Sequence, residues 1–389
     1  MRFDPENYSP SLRQDREFDV LRLGWMQRFS PESYWLGSVL RRHDNSTEDR
    51  DDVGTPSNIT AERTSHAFEL QFVWRGEDTE HRFGMGRFLK AGEEAVATGP
   101  ISEHGFHNNI YYYSQWRCCR TLQLSAGISW DYLREQRPVE LTHYQLNPKL
   151  GLQWTLPGDT LLRVAALRTL KRSLVSNQTI EPTQVAGFNQ DFEDGDATDA
   201  RTVGIGLDKR FAHGASAGLE WTGRVLHVPY LSNNTASSEA ADWSERSART
   251  YFYWPLNRQV ALSLEYFMER FSRSAEFTGI ERITRLSTWR LPVGITWYVP
   301  QGFSAAFKVT YAQQDGLFVD AVNSEQVPGS DEFWSTDAQL GYQLPDRWGQ
   351  IQFGVHNLTD QTIRYQDMDP TRLSVYPHRL AYARVALNF

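Results

Sequence analysis

Apolar and polar positions alternate along most of this chain. Leu122, Leu124, Ala126, Ile128, Trp130 and Tyr132 are interleaved with Thr121, Gln123, Ser125, Gly127, Ser129 and Asp131. Val260, Leu262, Leu264, Tyr266 and Met268 are set in the same way against Gln259, Ala261, Ser263, Glu265 and Glu269, and the pattern recurs through 303–312. Successive strand side chains point to opposite faces, so a period of two marks a strand lying between two different environments. Such segments fall at 18–29, 33–43, 65–75, 80–90, 108–117, 121–133, 146–155, 160–170, 201–211, 215–227, 247–255, 258–271, 286–299, 303–313, 333–344, 350–358 and 377–389. No stretch has a comparable period of 3.6, and the expectation is an all-β chain.

The connections alternate in length. Short ones such as Pro157–Asp159, Ala212–Gly214 and Pro300–Gly302 carry the turn residues of tight hairpins. Long polar ones lie between them, at 43–64 and 172–200 for instance. Hairpins with turns at one end and loops at the other describe an antiparallel up-and-down barrel. A sheet of that size leaves raw edges unless it closes. The expected fold is a transmembrane β-barrel of about 16–18 strands with short periplasmic turns and long extracellular loops. Residues 17–389 are assigned to the barrel, and 1–16 to a segment resembling an extracellular loop.

Composition sharpens this. No apolar run is long enough for a membrane-spanning helix, but a barrel strand needs only every second residue to be apolar. Trp25, Trp74, Trp116, Trp130, Trp154, Trp221, Trp254, Trp297 and Trp334 sit near strand ends, where the aromatic girdles of a bilayer barrel belong. A formal net charge of −8 argues against nucleic acid as a partner. The two cysteines, Cys118 and Cys119, are adjacent, which suits neither a disulfide framework nor a zinc site. No cofactor, resident metal or catalytic motif is expected. The first residues lack the apolar core of a signal peptide.

The segment from Phe353 to Phe389 resembles the C-terminus of TonB-dependent outer-membrane receptors, or of a related large outer-membrane barrel. The residues that carry the resemblance are Gly354, Asn357, Leu358, Asp360, Tyr365, Pro377, Arg379 and the terminal Phe389. It implies a bacterial outer-membrane location, with outer-membrane lipid and the barrel-assembly machinery as partners. It also implies that Phe389, Leu387 and Val385 form the signal read by that machinery. The implied activity is uptake of a scarce ligand such as an iron chelate, with energy from an inner-membrane complex acting through a plug. The signal peptide, TonB box and plug of such receptors have no counterpart in this sequence. An odd number of strands traced back from Phe389 places residue 1 outside the cell, so the expectation is a chain lacking the start of a longer protein. The alternatives are an export or assembly pore with periplasmic helical repeats, and a structural or adhesive barrel.

Candidate functional residues are the charges on the faces opposite the apolar ones, which would line the lumen: Lys149, Arg163, Glu220, Arg224, Glu265, Glu269, Lys308 and Arg384. Two acidic runs, Glu48–Asp52 and Asp191–Asp199, contain the carboxylates that hard cations favour, but without regular ligand spacing. They are expected to be solvated loops.

Overall fold

The computed structural model describes residues 12–50, 57–96, 99–136, 140–172, 178–190, 194–231, 238–274, 283–319, 326–363, 375–376 and 378–388. Its first eight strands are β1 (Leu12–Arg28), β2 (Ser33–Arg50), β3 (Ser57–Arg75), β4 (Thr79–Val96), β5 (Gly99–Cys119), β6 (Leu122–Gln136), β7 (Glu140–Leu156) and β8 (Thr160–Leu170). A two-stranded hairpin follows, β9 (Gln184–Val185) and β10 (Phe188–Asn189). Nine longer strands complete the order: β11 (Asp199–Arg210), β12 (Ser216–Leu231), β13 (Ser238–Pro255), β14 (Val260–Arg273), β15 (Ile283–Tyr298), β16 (Phe303–Val319), β17 (Gln326–Gln343), β18 (Gly349–His356) and β19 (Leu380–Leu387).

Seventeen strands form one antiparallel up-and-down sheet, the wall of a barrel. Each pairs in register with the next along the chain, with β8 pairing directly to β11 across the hairpin. The short turns follow from local chemistry. At 157–159 both Gly158 and Asp159 have positive φ (72° and 54°), which matches the right-handed twist of the flanking strands.

Apolar residues face out. On β15, Leu291, Val293 and Ile295 lie between Trp289 and Trp297 on one outward face and are exposed. The two tryptophans, eight residues apart, are separated by about 26 Å along the strand and roughly 20 Å in height at the usual barrel tilt. That approximates the thickness of a bilayer's apolar layer. The same outward apolar alternation holds on β14 for Leu262, Leu264, Tyr266 and Met268, and on β19 for Ala381, Ala383, Val385 and Leu387. Inward faces are polar, with Ser129, Asp131, Asn147 and Lys149 buried inside.

Several boundaries differ from the pattern-based expectation. β2 and β3 run through Arg50 and from Ser57, so most of the expected 43–64 loop is strand. These ends carry polar residues on both faces, because beyond the membrane neither face needs to be apolar, and the period of two fades while the backbone pairing continues. For the same reason β1 begins at Leu12, inside the segment expected to be a loop. The last strand spans Leu380–Leu387 rather than 377–389.

Candidate functional site: a loop seated in the lumen

The connection between β8 and β11 does not project outward as the sequence suggested. Its residues 178–190 fold back into the barrel and rest on inward-facing residues of several strands. Its centre is Glu181, nearly buried at 6% exposure. Asn109 donates to Glu181 Oε2 at 2.8 Å, and the Tyr113 hydroxyl donates to Oε1 at 2.7 Å. Arg172 pairs with the same carboxylate at 2.9 Å, and Lys149 stands 3.5 Å from it. Burial opposes the Arg172 charge, but Glu181, Asp131 and Glu69 outweigh it and raise its pKa above that of a free guanidinium.

Other contacts extend this latch. Glu69 of β3 accepts hydrogen bonds from the Thr179 hydroxyl and, at 3.1 Å, from the Ile180 amide. Gln71 donates to the Ile180 carbonyl at 2.7 Å. Arg22 of β1 donates to Gln178. Beneath Glu181 lies a second polar layer. Asp131 accepts from Asn147 at 2.6 Å and sits 2.8 Å from His107, while Ser129 bonds both Asp131 (2.9 Å) and Lys149 (3.0 Å). A void of about 30 Å³ is left among these groups, room for little more than one water. The network is therefore packed shut, an anchor for the loop rather than an open ligand pocket.

The hairpin β9–β10 is the apolar part of the insert. Ala186 and Gly187 at its tip have φ of 48° and 87°, the two positive values that a two-residue hairpin of this hand requires. Val185, Ala186 and Phe188 are buried against Tyr111, Tyr113, Ala165 and Leu167 of the wall. Two wall glycines make room for them. A Cβ at Gly151 would meet Val185 at 2.7 Å, and one at Gly204 would meet the Phe188 ring at 2.4 Å. Arg163 closes the far side, its guanidinium 5.1 Å from the centre of the Phe188 ring. The hairpin thus descends to the level of Gly151, five residues from the end of β7 at Leu156.

The predicted charges fall into two groups. Lys149, Arg163, Glu220 and Arg224 surround the insert. Arg163 pairs with Asp208 and Glu220, both at 2.8 Å, and Arg224 pairs with Glu245 and with Asp194 of the loop. Glu265, Glu269 and Lys308 lie on the inner wall of the other half and pair with Arg249 (2.9 Å), Arg290 (3.1 Å) and Asp337 (2.7 Å). They are more open to solvent than the buried latch, which leaves that half of the lumen wettable. Arg384 shares the inward register of Tyr382 on β19 and is exposed.

The acidic run after the hairpin is paired rather than solvated. Asp194 bonds Arg224, Asp196 lies 4.0 Å from Lys90, and Asp199 pairs with Arg168 at 2.7 Å. Asp191 and Glu193 lie outside the described residues, as do Asp51 and Asp52, while Glu48 and Asp49 belong to β2. Among the described residues no group of three or more potential metal ligands occurs.

In the C-terminal motif, Asn357 is fully buried. It donates to the carbonyls of Gln361 (2.7 Å) and Tyr376 (3.2 Å), and its amide bonds Asp337. Asp360 accepts from the Arg379 amide at 2.9 Å. Gly354 faces inward beneath the Tyr382 ring, while Leu358, Val385 and Leu387 are exposed. Tyr365, Pro377 and Phe389 lie outside the described residues.

The residues that sequence reasoning missed are Glu181, Tyr113, Asn109 and Arg172. A signal for the insert was present: V-A-G-F, an apolar hairpin sequence, in the middle of a polar connection.

No protein-family model matches the sequence, and no curated protein matches it. Solved structures do. The copper transporter OprC superposes with a TM-score of 0.69 at 10% identity, over 96% of this chain and 66% of its own. Pseudomonas aeruginosa FpvA, in complex with heterologous pyoverdines and iron, gives 0.65 at 11% identity, over 93% and 55%. The ferric citrate transporter FecA gives 0.65 at 13% identity, over 98% and 62%. The chain therefore spans between 55% and 66% of the length of these three proteins. At such identities the likeness establishes the fold: this chain has the large up-and-down barrel found in the OprC, FpvA and FecA structures.

Proposed function

We propose that this chain forms the barrel of an outer-membrane receptor-transporter that admits a scarce metal or metal chelate. The observation that carries the reading is the likeness of fold over nearly the whole chain to transporters of copper and of ferric complexes. The location follows from the outward apolar band and the same likeness. The short turns face the periplasm, and the longer strand ends and loops face outside. Lipid surrounds the band, and the barrel-assembly machinery inserts the chain, reading the strand that carries Val385 and Leu387 together with Phe389. Transport is coupled to an inner-membrane energy source, as in the receptors that the C-terminal motif resembles. Residues 178–190, with Arg172 and Asp194, sit inside the lumen against β3, β5, β7, β11 and β12. The ion-paired, wetter half at Glu265, Glu269 and Lys308 is the path that ligand takes. This is a transport role and not a catalytic one.

Uptake in the native host tests the reading. Cells with and without the intact gene are supplied with ⁵⁵Fe as a siderophore mixture, or with ⁶⁴Cu, before and after the proton-motive force is collapsed. Gene-dependent uptake that stops on collapse supports energy-coupled import. Uptake that is the same in both strains refutes the transport reading, and gene-dependent uptake that survives collapse refutes the coupling.

A further inference from the structure

Outside the lumen, the outward face of β13–β15 carries an arrangement that the transport reading does not use. Arg246 on β13 stands directly opposite Arg270 on β14. Arg270 is paired with Ser287 on β15, so Arg285, two residues along that strand, is diagonal to it. All three arginines are exposed. Like charges directly opposite each other on one sheet face repel. Two other arginines of the outer wall are neutralised: Arg134 has Glu140 at 2.8 Å and Arg168 has Asp199 at 2.7 Å. Among the described residues no carboxylate lies within ion-pair distance of Arg246, Arg270 or Arg285. Asp315 also lines the groove they share, which leaves a surplus of two positive charges. The groove holds about 790 Å³, and its wall includes Trp289 and Leu317.

Height identifies what fills it. Trp289 marks the upper edge of the apolar band and is paired across the strands with Met268. Arg270 is two residues above Met268, and Arg285 four above Trp289, which is about 7 Å and 13 Å along the strands. A bilayer's headgroup layer begins at that edge and is several ångströms deep on each side. Guanidinium forks match phosphate oxygens in charge and geometry, and an acyl chain finds Leu291, Val293 and Ile295 directly below. We propose that this groove binds a phosphate-bearing lipid of the outer leaflet, its phosphate between Arg246, Arg270 and Arg285 and its chains along the Trp289–Ile295 face. The choice of leaflet rests on the orientation proposed above. The binding itself requires only that the apolar band is in lipid.

The test is native mass spectrometry of the full chain, extracted in detergent, with a bisphosphorylated glycolipid and its dephosphorylated form as probes. Folding of each variant is checked by heat-modifiable migration on a gel. Wild type is expected to bind the phosphorylated form, and R246Q/R270Q/R285Q to bind it about tenfold more weakly. The Lys triple variant is expected to fall between them. If the Gln triple variant does not fold, R270Q alone is expected to lose about threefold. Equal binding of the two probes, or equal binding by wild type and a folded Gln variant, overturns the proposal. So does protection of the arginines from phenylglyoxal by inorganic phosphate with no preference for the lipid, which would make the groove a free-anion site. Loss of metal uptake plays no part in these readouts, so failure of the transport reading leaves this one standing.

Discussion

The Tyr113 hydroxyl donates a 2.7 Å hydrogen bond to Glu181, joining the barrel wall to a loop 68 residues further along the chain. That one carboxylate also receives Asn109, Arg172 and Lys149. Removing it strands two cations and two hydrogen-bond donors inside the lumen. Glu181→Ala is expected to destabilise loop seating by about 3–5 kcal/mol, the cost of leaving buried charge uncompensated. Glu181→Gln keeps the shape and loses less. In planar bilayers the Ala variant is expected to show higher and noisier single-channel conductance than wild type. Identical traces would mean that the loop does not obstruct the pore.

Gly204 tests the apolar half of the same contact. A Cβ there falls 2.4 Å from the Phe188 ring, which packs against a wall that cannot retreat. Gly204→Val is expected to cost about 1–3 kcal/mol by overpacking and to expose 178–190 to protease. Adding Phe188→Ala should restore protection in part, since it removes the clash. Cleavage of Gly204→Val at the wild-type rate would show that the hairpin is not seated on β11.

A covalent link distinguishes a seated loop from one that swings. Glu69→Cys with Thr179→Cys, in a background with Cys118 and Cys119 changed to Ser, puts two thiols at the ends of a direct side-chain contact, within the span of a short bis-thiol-reactive linker. The linker is expected to join them and to hold conductance at the wild-type level even when Glu181→Ala is added. Failure to cross-link in the folded barrel would refute the contact.

The outward band predicts an asymmetry between faces. Val293 lies midway between Trp289 and Trp297 on the outer face, so Val293→Arg is expected to cost about 2–4 kcal/mol in a urea titration of barrels folded into lipid vesicles. Lys308→Ala, on the inner wall, breaks a half-exposed pair with Asp337 and is expected to cost less than about 1 kcal/mol. Equal costs would mean that lipid does not contact the Val293 face.

The barrel was legible because each crossing carries its own signal. Leu122–Tyr132 alternates without reference to any other segment, and P-G-D turns the chain by local geometry alone. All seventeen expected segments correspond to wall strands for that reason. The strand ends beyond the membrane were not legible, since Asp44–Arg50 and Ser57–Thr64 carry polar residues on both faces, with only Ile59 and Ala61 apolar, yet are paired throughout. The lumen insert was hidden by a different cause. Glu181 is held by residues on β5 and β7, its neighbours Thr179 and Ile180 by Glu69 and Gln71 on β3, and only the folded wall assembles them. Composition marked 172–200 as a solvated loop because buried polar groups that satisfy one another look, in sequence, like polar groups in water.

The insert also has a mechanical consequence. Its attachments at Glu69 on β3, Tyr113 on β5, Lys149 on β7 and Gly204 on β11 lie far apart along the perimeter but are tied to one short stretch of chain. A sheet with antiparallel neighbours alone can flex along every hydrogen-bonded seam. A strut across the interior fixes the distance between seams, so the wall from β3 to β11 behaves as a braced arch and the stretch from β13 to β19 is where the barrel can change its cross-section.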